Sequence, residues 1–177
     1  MRFERVGGEE AWKGKMISVE VGKFRFEDGE EVQREVVKHP GAVAVVAHDG
    51  ESLYLGAQPR EATGDPDLLE LPAGKLDEEG ESPLDTGKRE LAEEIGKGAK
   101  NWRHLTTCYT SPGFTDEQVH VYLATDLYDE QAEADENERI EVRKVPLAEL
   151  DSVIEACHDA KSLIGLLWLR AYEGAAA

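Results

Sequence analysis

Basic residues are scarce in this 177-residue chain: 20 Lys and Arg stand against 38 Asp and Glu, a net charge of −18 at pH 7. A surface so acidic repels phosphate backbones and anionic headgroups over a Debye length or more, which argues against a nucleic-acid groove or a membrane-surface binder. Cysteine is scarcer still. Cys108 and Cys157 are far apart and match no metal-ligand spacing, so they read as reduced, partly buried thiols, and the five histidines are scattered too. Long apolar runs are missing as well: the longest, AVAVVA at 42–47, cannot span a bilayer, and the opening MRFERVGGEEAWKGKM has no signal-type apolar stretch. A cytoplasmic protein is the expectation. Clustered carboxylates do tolerate divalent cations, and a phosphorylated small molecule could enter bound to metal rather than steered by protein charge.

What the chain does have is enough apolar content, 40%, for one well-cored domain with a small appendage. From Met16 to Lys38, β-rich alternation on both sides of Asp28-Gly29 predicts a hairpin. The pattern breaks at His39-Pro40-Gly41, so residues 1–38 read as a β appendage and 39–177 as the main domain. There, AVAVVAHDGESLYLGAQPR predicts a buried strand, a turn at Asp49-Gly50 and a second strand. EATGDPD reads as an acidic loop, and LLELPAG as a short strand leading into LPAGKLDEEGESPLDTGKRELAEEIGKG (71–98). After it, WRHLTTCYT, EQVHVYLATDL and IEVRKVP read as strands, with SPGFTD as a turn. Two amphipathic helices, LAELDSVIEACHD and AKSLIGLLWLRAYEG, follow.

The segment 71–98 carries a well-marked helix. Ser82 suits its cap, Pro83 its first position, Asp85 its first turn and Gly96 its end. Leu84, Leu91 and Ile95 make an apolar stripe, and Glu90 and Glu94 lie one turn apart roughly opposite it, with Glu93 beside them. Carboxylates so spaced repel each other on a helix face, so a positive partner is expected there. Gly87, in mid-helix, costs roughly 0.5–1 kcal/mol relative to Ala and hints at close backbone packing.

Gly74, Glu81, Arg89-Glu90-Leu91, Glu93-Glu94 and Gly96 together resemble the Nudix box, G-x5-E-x7-R-E-U-x-E-E-x-G-U with U aliphatic. An acidic helix produces a Glu pair by accident, but not this ordered constellation. Two departures stand out: six residues (KLDEEG) separate Gly74 from Glu81 where the family has five, and Lys97 replaces an aliphatic residue. The extra residue should bulge outward from the loop and leave the helix register intact. REVVKHPGAVAVVAHD, LGAQPR, LLELPAGK and YTSPGFTDEQVHVYLA extend the likeness over nearly the whole chain to the ADP-ribose pyrophosphatase branch.

The resemblance implies an α/β/α sandwich, a central mixed sheet between helices, plus the antiparallel appendage. It implies hydrolysis of ADP-ribose to AMP and ribose 5-phosphate with two or more Mg2+ ions, Mn2+ being a substitute. Alternatives are another nucleoside diphosphate sugar, a dinucleotide, or a non-catalytic ADP-ribose sensor. The chemistry fits: a diphosphate surrounded by negative oxygens needs neutralising, and magnesium takes hard oxygen ligands. By resemblance Glu90 and Glu94 are the principal metal ligands, Glu93 a third carboxylate near the ions, and the Ala73 carbonyl a further ligand, while Arg89 and Glu81 orient the group. In that branch the appendage is exchanged across a homodimer and helps to hold the adenosine end, with arginines on the diphosphate and ribose; the matching positions are Arg34, Glu35 and Arg60. Arg34 reads equally as an exposed hairpin residue, and Trp12 either stacks on adenine or, as base rates favour, packs in the core. The run DEQAEADENERIEV reads by itself as a solvated acidic loop, but the branch places its catalytic base there. That base would be Glu136, with neighbouring Glu133 and Glu138 as rivals and Glu138 also a metal-ligand candidate.

Overall fold

Alternating β-branched and polar residues on either side of Asp28-Gly29 form the hairpin that the sequence predicts, and a further strand extends it. In the computed structural model, which describes residues 2–132 and 139–175, the chain divides into two compact units. The first contains residues up to 41 together with 108–118; the second contains 42–107 and the described part of 119–177. In the first unit β1 (Phe3–Lys13), β2 (Ser18–Phe26) and β3 (Glu31–Lys38) form an antiparallel sheet in that order. Gly29 takes the turn at φ 89°, and the Asp28 carboxylate accepts from the Glu30 amide at 3.0 Å. Sequence patterning did not mark β1, because FERVGGEEAWK has no period-2 alternation. It is exposed along its length, and its register slips between Arg5 and Gly7 and again between Glu10 and Trp12. Edge-on contacts of Phe3 with Phe24 and Phe26, at 5.7 and 6.1 Å, and an Arg5–Glu20 ion pair at 2.8 Å tie it down instead.

The second unit is built on a mixed sheet in the order β10-β5-β4-β9-β8, with β6 added to β5 and β7 to β4. Its strands are β4 (Ala42–His48), β5 (Ser52–Arg60), β6 (Asp65–Glu70), β7 (Ala73–Lys75), β8 (Lys97–Tyr109), β9 (Gln118–Asp129) and β10 (Glu141–Pro146). β4 runs parallel to β9 and antiparallel to β5 and β7. Because successive side chains of a strand face opposite ways, AVAVVA is buried on both faces. Val43 and Val45 meet α1 (Pro83–Ile95) at Gly87, while Val46 meets α3 (Ala160–Ala175) at Gly165. A Cβ at Gly87 would lie 3.2 Å from Val43 Cγ2, so the helix glycine that looked out of place is where α1 approaches the sheet closely. α2 (Leu150–Ala156) packs beside α3 after a 3-10 turn at Leu147–Glu149. The result is the helix–sheet–helix sandwich expected from the sequence. Leu91, fully buried in the core with Val43, Val45 and Ile95, is one of the side chains that hold it; truncation to Ala there costs about 2–5 kcal/mol.

Two local readings differ. The acidic stretch is a loop only over 61–64; Asp65, Pro66 and Asp67 belong to β6, where a bulge between Gln58 and Arg60 on β5 tolerates the proline. β8 begins directly at Lys97 rather than near Trp102.

Candidate active site

The helix α1 is capped as its sequence requires. Ser82 Oγ accepts from the Asp85 amide at 3.2 Å, Pro83 occupies the first turn, and Gly96 closes the end at φ 71° with its amide on the Ala92 carbonyl. In the loop before it Gly80 has φ 88° and open space around its Cα, and Glu81, which follows, is within reach of Arg89.

Arg89 partners the crowded carboxylates, for which the sequence reading calls on metal ions. Its Nε donates to Glu81 Oε1 at 3.2 Å, and its Nη1 donates to Glu90 Oε1 at 2.9 Å and Glu93 Oε2 at 2.8 Å. Burial works against the guanidinium charge, but the hydrogen bond with Glu81 and the charges of Glu90 and Glu93 outweigh it and hold the Arg89 pKa above its ordinary value. Thr86, buried on the same helix, donates from Oγ1 to Glu81 Oε2 at 2.9 Å and fixes the far end of this network.

Glu90 does not lie on an exposed face opposite the apolar stripe. It is 9% exposed and turned against Gly74, whose Cα it approaches so closely that a Cβ there would fall 1.9 Å from Glu90 Oε1. Glu94 Oε2 accepts from the Ala73 amide at 3.1 Å. One turn of α1 therefore places two carboxylates against the first two residues of β7.

The strip Glu70-Leu71-Pro72-Ala73-Gly74 is anchored residue by residue. Glu70, 2% exposed, accepts from Arg60 Nε at 2.7 Å and Nη2 at 2.8 Å, and from Lys161 Nζ at 2.5 Å. The Leu71 amide donates to Ser162 Oγ at 2.8 Å, and the Pro72 carbonyl accepts from the Val45 amide at 2.8 Å. Ala73 and Gly74 meet Glu94 and Glu90. Desolvation pushes the Glu70 pKa up, but the hydrogen bond from Arg60 and the charge of Lys161 bring it below its ordinary value. Glu70, Thr86, Lys161 and Ser162 were not singled out from sequence. For Glu70 a signal existed, a lone acid inside the otherwise apolar strand LLEL.

The predicted residues do not all fall in one place. Arg89, Glu81, Glu90, Glu93, Glu94, Ala73 and Gly74 come together around α1 and β7, Gly96 ends the helix, and Arg60 is close enough to Glu94 for that carboxylate to help raise its pKa, after the larger effect of Glu70. Arg34 and Glu35 are exposed on β3 of the first unit. There Arg34 borders a cavity of about 420 Å³ with Phe3, Phe24, Phe26, Tyr109 and Phe114. Trp12 on β1 is 55% exposed, which rules out the core-packing reading for this chain. Glu133, Glu136 and Glu138 lie outside the described residues. Among the described residues no three Asp, Glu, His or Cys side chains converge as a ready-made metal cluster, and Arg89 and the Ala73 amide engage the helix carboxylates. The donor set nonetheless fits a hard cation: carboxylates of one helix turn meet a strand backbone at a glycine that leaves room for them.

Comparison with known proteins places these features in context. The NUDIX domain model matches residues 37–165. An ADP-ribose pyrophosphatase of Bacillus subtilis (strain 168) is 40% identical over 172 residues, 95% of this chain and 92% of that protein. A methanol dehydrogenase activator of Bacillus methanolicus is 34% identical over 169 residues, covering 93% and 91%. The crystal structure of an ADP compounds hydrolase superposes with a TM-score of 0.87 at 24% identity, over 100% of this chain and 97% of the other. At that identity the superposition speaks for the fold.

Proposed function

Because this chain belongs to the Nudix hydrolase family, we propose that it cleaves the diphosphate of ADP-ribose to AMP and ribose 5-phosphate. The observation that carries the reading is the seating of Glu90 and Glu94 of α1 against Ala73 and Gly74. Glu90 and Glu94 would hold Mg2+, two or more ions with Mn2+ as a substitute, assisted by Glu93, the Ala73 carbonyl and Glu138. Bound magnesium neutralises phosphate oxygens and acidifies the attacking water.

The chain's own groups account for the remaining steps. Water oxygen forms a bond to one phosphorus, the bond from that phosphorus to the bridging oxygen breaks, and the bridging oxygen leaves with the other phosphate. Glu136 takes the water proton, the modest acceptor such a step requires. Arg89 sets the spacing of Glu81, Glu90 and Glu93 and limits their mutual repulsion. Arg60 grips the diphosphate end. Arg34 and Glu35, supplied by the partner in a homodimer that exchanges its β appendages, hold the ribose and adenosine end, with Trp12 stacking on adenine.

A substrate panel tests this reading. With magnesium present, ADP-ribose should give a higher kcat/KM than other sugar nucleotides, dinucleotides or nucleoside triphosphates. A clear preference for any of these others would move the substrate assignment, and binding of ADP-ribose without turnover would favour a sensor.

A further inference from the structure

A carboxylate 2% exposed to solvent is costly to keep ionised unless its partners repay the lost hydration. Glu70 has two cationic partners. Lys161 reaches it from α3 at 2.5 Å and also pairs with Asp159 at 2.9 Å, while Asp159 in turn accepts from Ser162 Oγ at 2.5 Å. These contacts satisfy Glu70 from the α3 side. Arg60 approaches side-on, through Nε and Nη2, at 2.7 and 2.8 Å. A planar guanidinium gripped along that edge has its orientation fixed, and its opposite edge, carrying Nη1 and the second Nη2 hydrogen, faces away from Glu70. The Arg60 side chain is 41% exposed while Glu70 is sealed beneath it.

We infer that Glu70 is a positioning residue: it clamps one edge of Arg60 so that the other edge stands preset, as a two-donor fork, to receive a phosphate oxygen pair of the substrate. The inference rests on the proposed role of Arg60 toward the diphosphate and deepens it, since it assigns recognition to geometry fixed before substrate arrives rather than to charge alone. An Arg held this way gives up little side-chain freedom on binding, and the bidentate fork distinguishes a phosphate from a single acceptor. Glu70 begins the strip that ends at Ala73 and Gly74, so the clamp shares a rigid backbone with the residues meeting Glu94 and Glu90.

Steady-state kinetics on ADP-ribose with magnesium, alongside thermal unfolding, test this with the full chain. Glu70→Gln should raise KM about tenfold and leave kcat within about twofold, the pattern of lost uniform binding. Arg60→Lys, which keeps the charge but not the fork, should raise KM nearly as much as Arg60→Ala, and adding Glu70→Gln to Arg60→Ala should change KM little further. Lys161→Met removes another partner of Glu70 and should lower Tm without reproducing the KM rise. The inference is overturned if Glu70→Gln keeps the wild-type KM, if Arg60→Lys does, or if Lys161→Met matches the Glu70→Gln rise in KM. The Arg60→Lys arm decides the matter even if Glu70→Gln does not fold. Wild-type enzyme that leaves ADP-ribose intact would overturn the proposed function and this inference with it, whereas wild-type turnover with an unmoved variant KM overturns this inference alone.

Discussion

Gly74 is needed because of what lies over it. A side chain there would meet not just the tip of Glu90 but Oε1, Cδ and Cγ at 1.9, 2.0 and 2.4 Å, so a simple swing of the carboxylate does not clear it. Gly74→Ala should therefore destabilise by about 1–3 kcal/mol, as overpacking does, and also displace Glu90 and lower turnover. Adding Glu90→Ala should restore stability, measured by urea unfolding, without restoring activity; stability that stays low in the double variant would mean the strain lies elsewhere. Glu94→Gln tests the other carboxylate. It keeps volume and an acceptor for the Ala73 amide, so it should lose most turnover at saturating magnesium while melting no lower than wild type in the absence of metal. For Glu136→Gln the expected result is a kcat lower by about a hundredfold or more with little change in substrate affinity; if Glu138→Gln alone behaves so, the base is Glu138. The sequence marked Gly74, Arg89 and the helix glutamates because their spacing is local and ordered. It could not reveal why Gly74 is glycine, or that Glu70 is clamped, because Glu90, Arg60 and Lys161 reach these positions only through the folded sheet and α3.

Strands and helices with a clean period were legible, and those without one were not. AVAVVA, the β4–β5 turn and the capped α1 follow from hydrophobic runs and turn chemistry, whereas β1 is exposed and bulged and leaves no pattern to find. Lys97, standing where the family has an aliphatic residue, is explained at this scale. Its Nζ lies over the Tyr54 ring, 5.6 Å from the centroid, and pairs with Asp129, which is 89% exposed. Lys97→Leu should thus leave activity intact and change stability by less than about 1 kcal/mol, since a pair whose acid stands in solvent contributes little; a marked loss of turnover would contradict this. The β4–β5 turn gives a pH prediction. Hydrogen bonds from Lys144 and the Ser52 amide hold the Asp49 pKa below its ordinary value, with the Glu51 amide and Tyr54 hydroxyl assisting against desolvation. A lowered folded-state pKa contributes stability that is present above the unfolded carboxylate range and lost as pH falls through the folded value. Asp49→Asn should therefore be less stable near neutrality and show a shallower loss of stability in acid. Parallel Tm curves for the two proteins would remove Asp49 from the acid transition.

At the scale of the whole molecule, the net charge of −18 leaves few cations for phosphate recognition, and the two proposed for it, Arg34 and Arg60, lie in different compact units. No helix among the described residues is long and apolar enough to cross a membrane. If the appendages are exchanged in a homodimer, Arg34→Ala and Glu94→Gln, each inactive alone, should complement on mixing. Random exchange makes half the dimers mixed, and each mixed dimer has one site free of both lesions, so activity should recover to about a quarter of wild type. No recovery, with subunit exchange verified, would place Arg34 in its own chain's site or outside any site. The central claim is the hydrolysis itself, and phosphorus NMR of ADP-ribose incubated with the enzyme and magnesium tests it most directly. The diphosphate resonances should be replaced by two equal phosphomonoester signals, those of AMP and ribose 5-phosphate, and a chelator should stop the conversion. Persistent diphosphate resonances with folded, magnesium-supplied enzyme would contradict it.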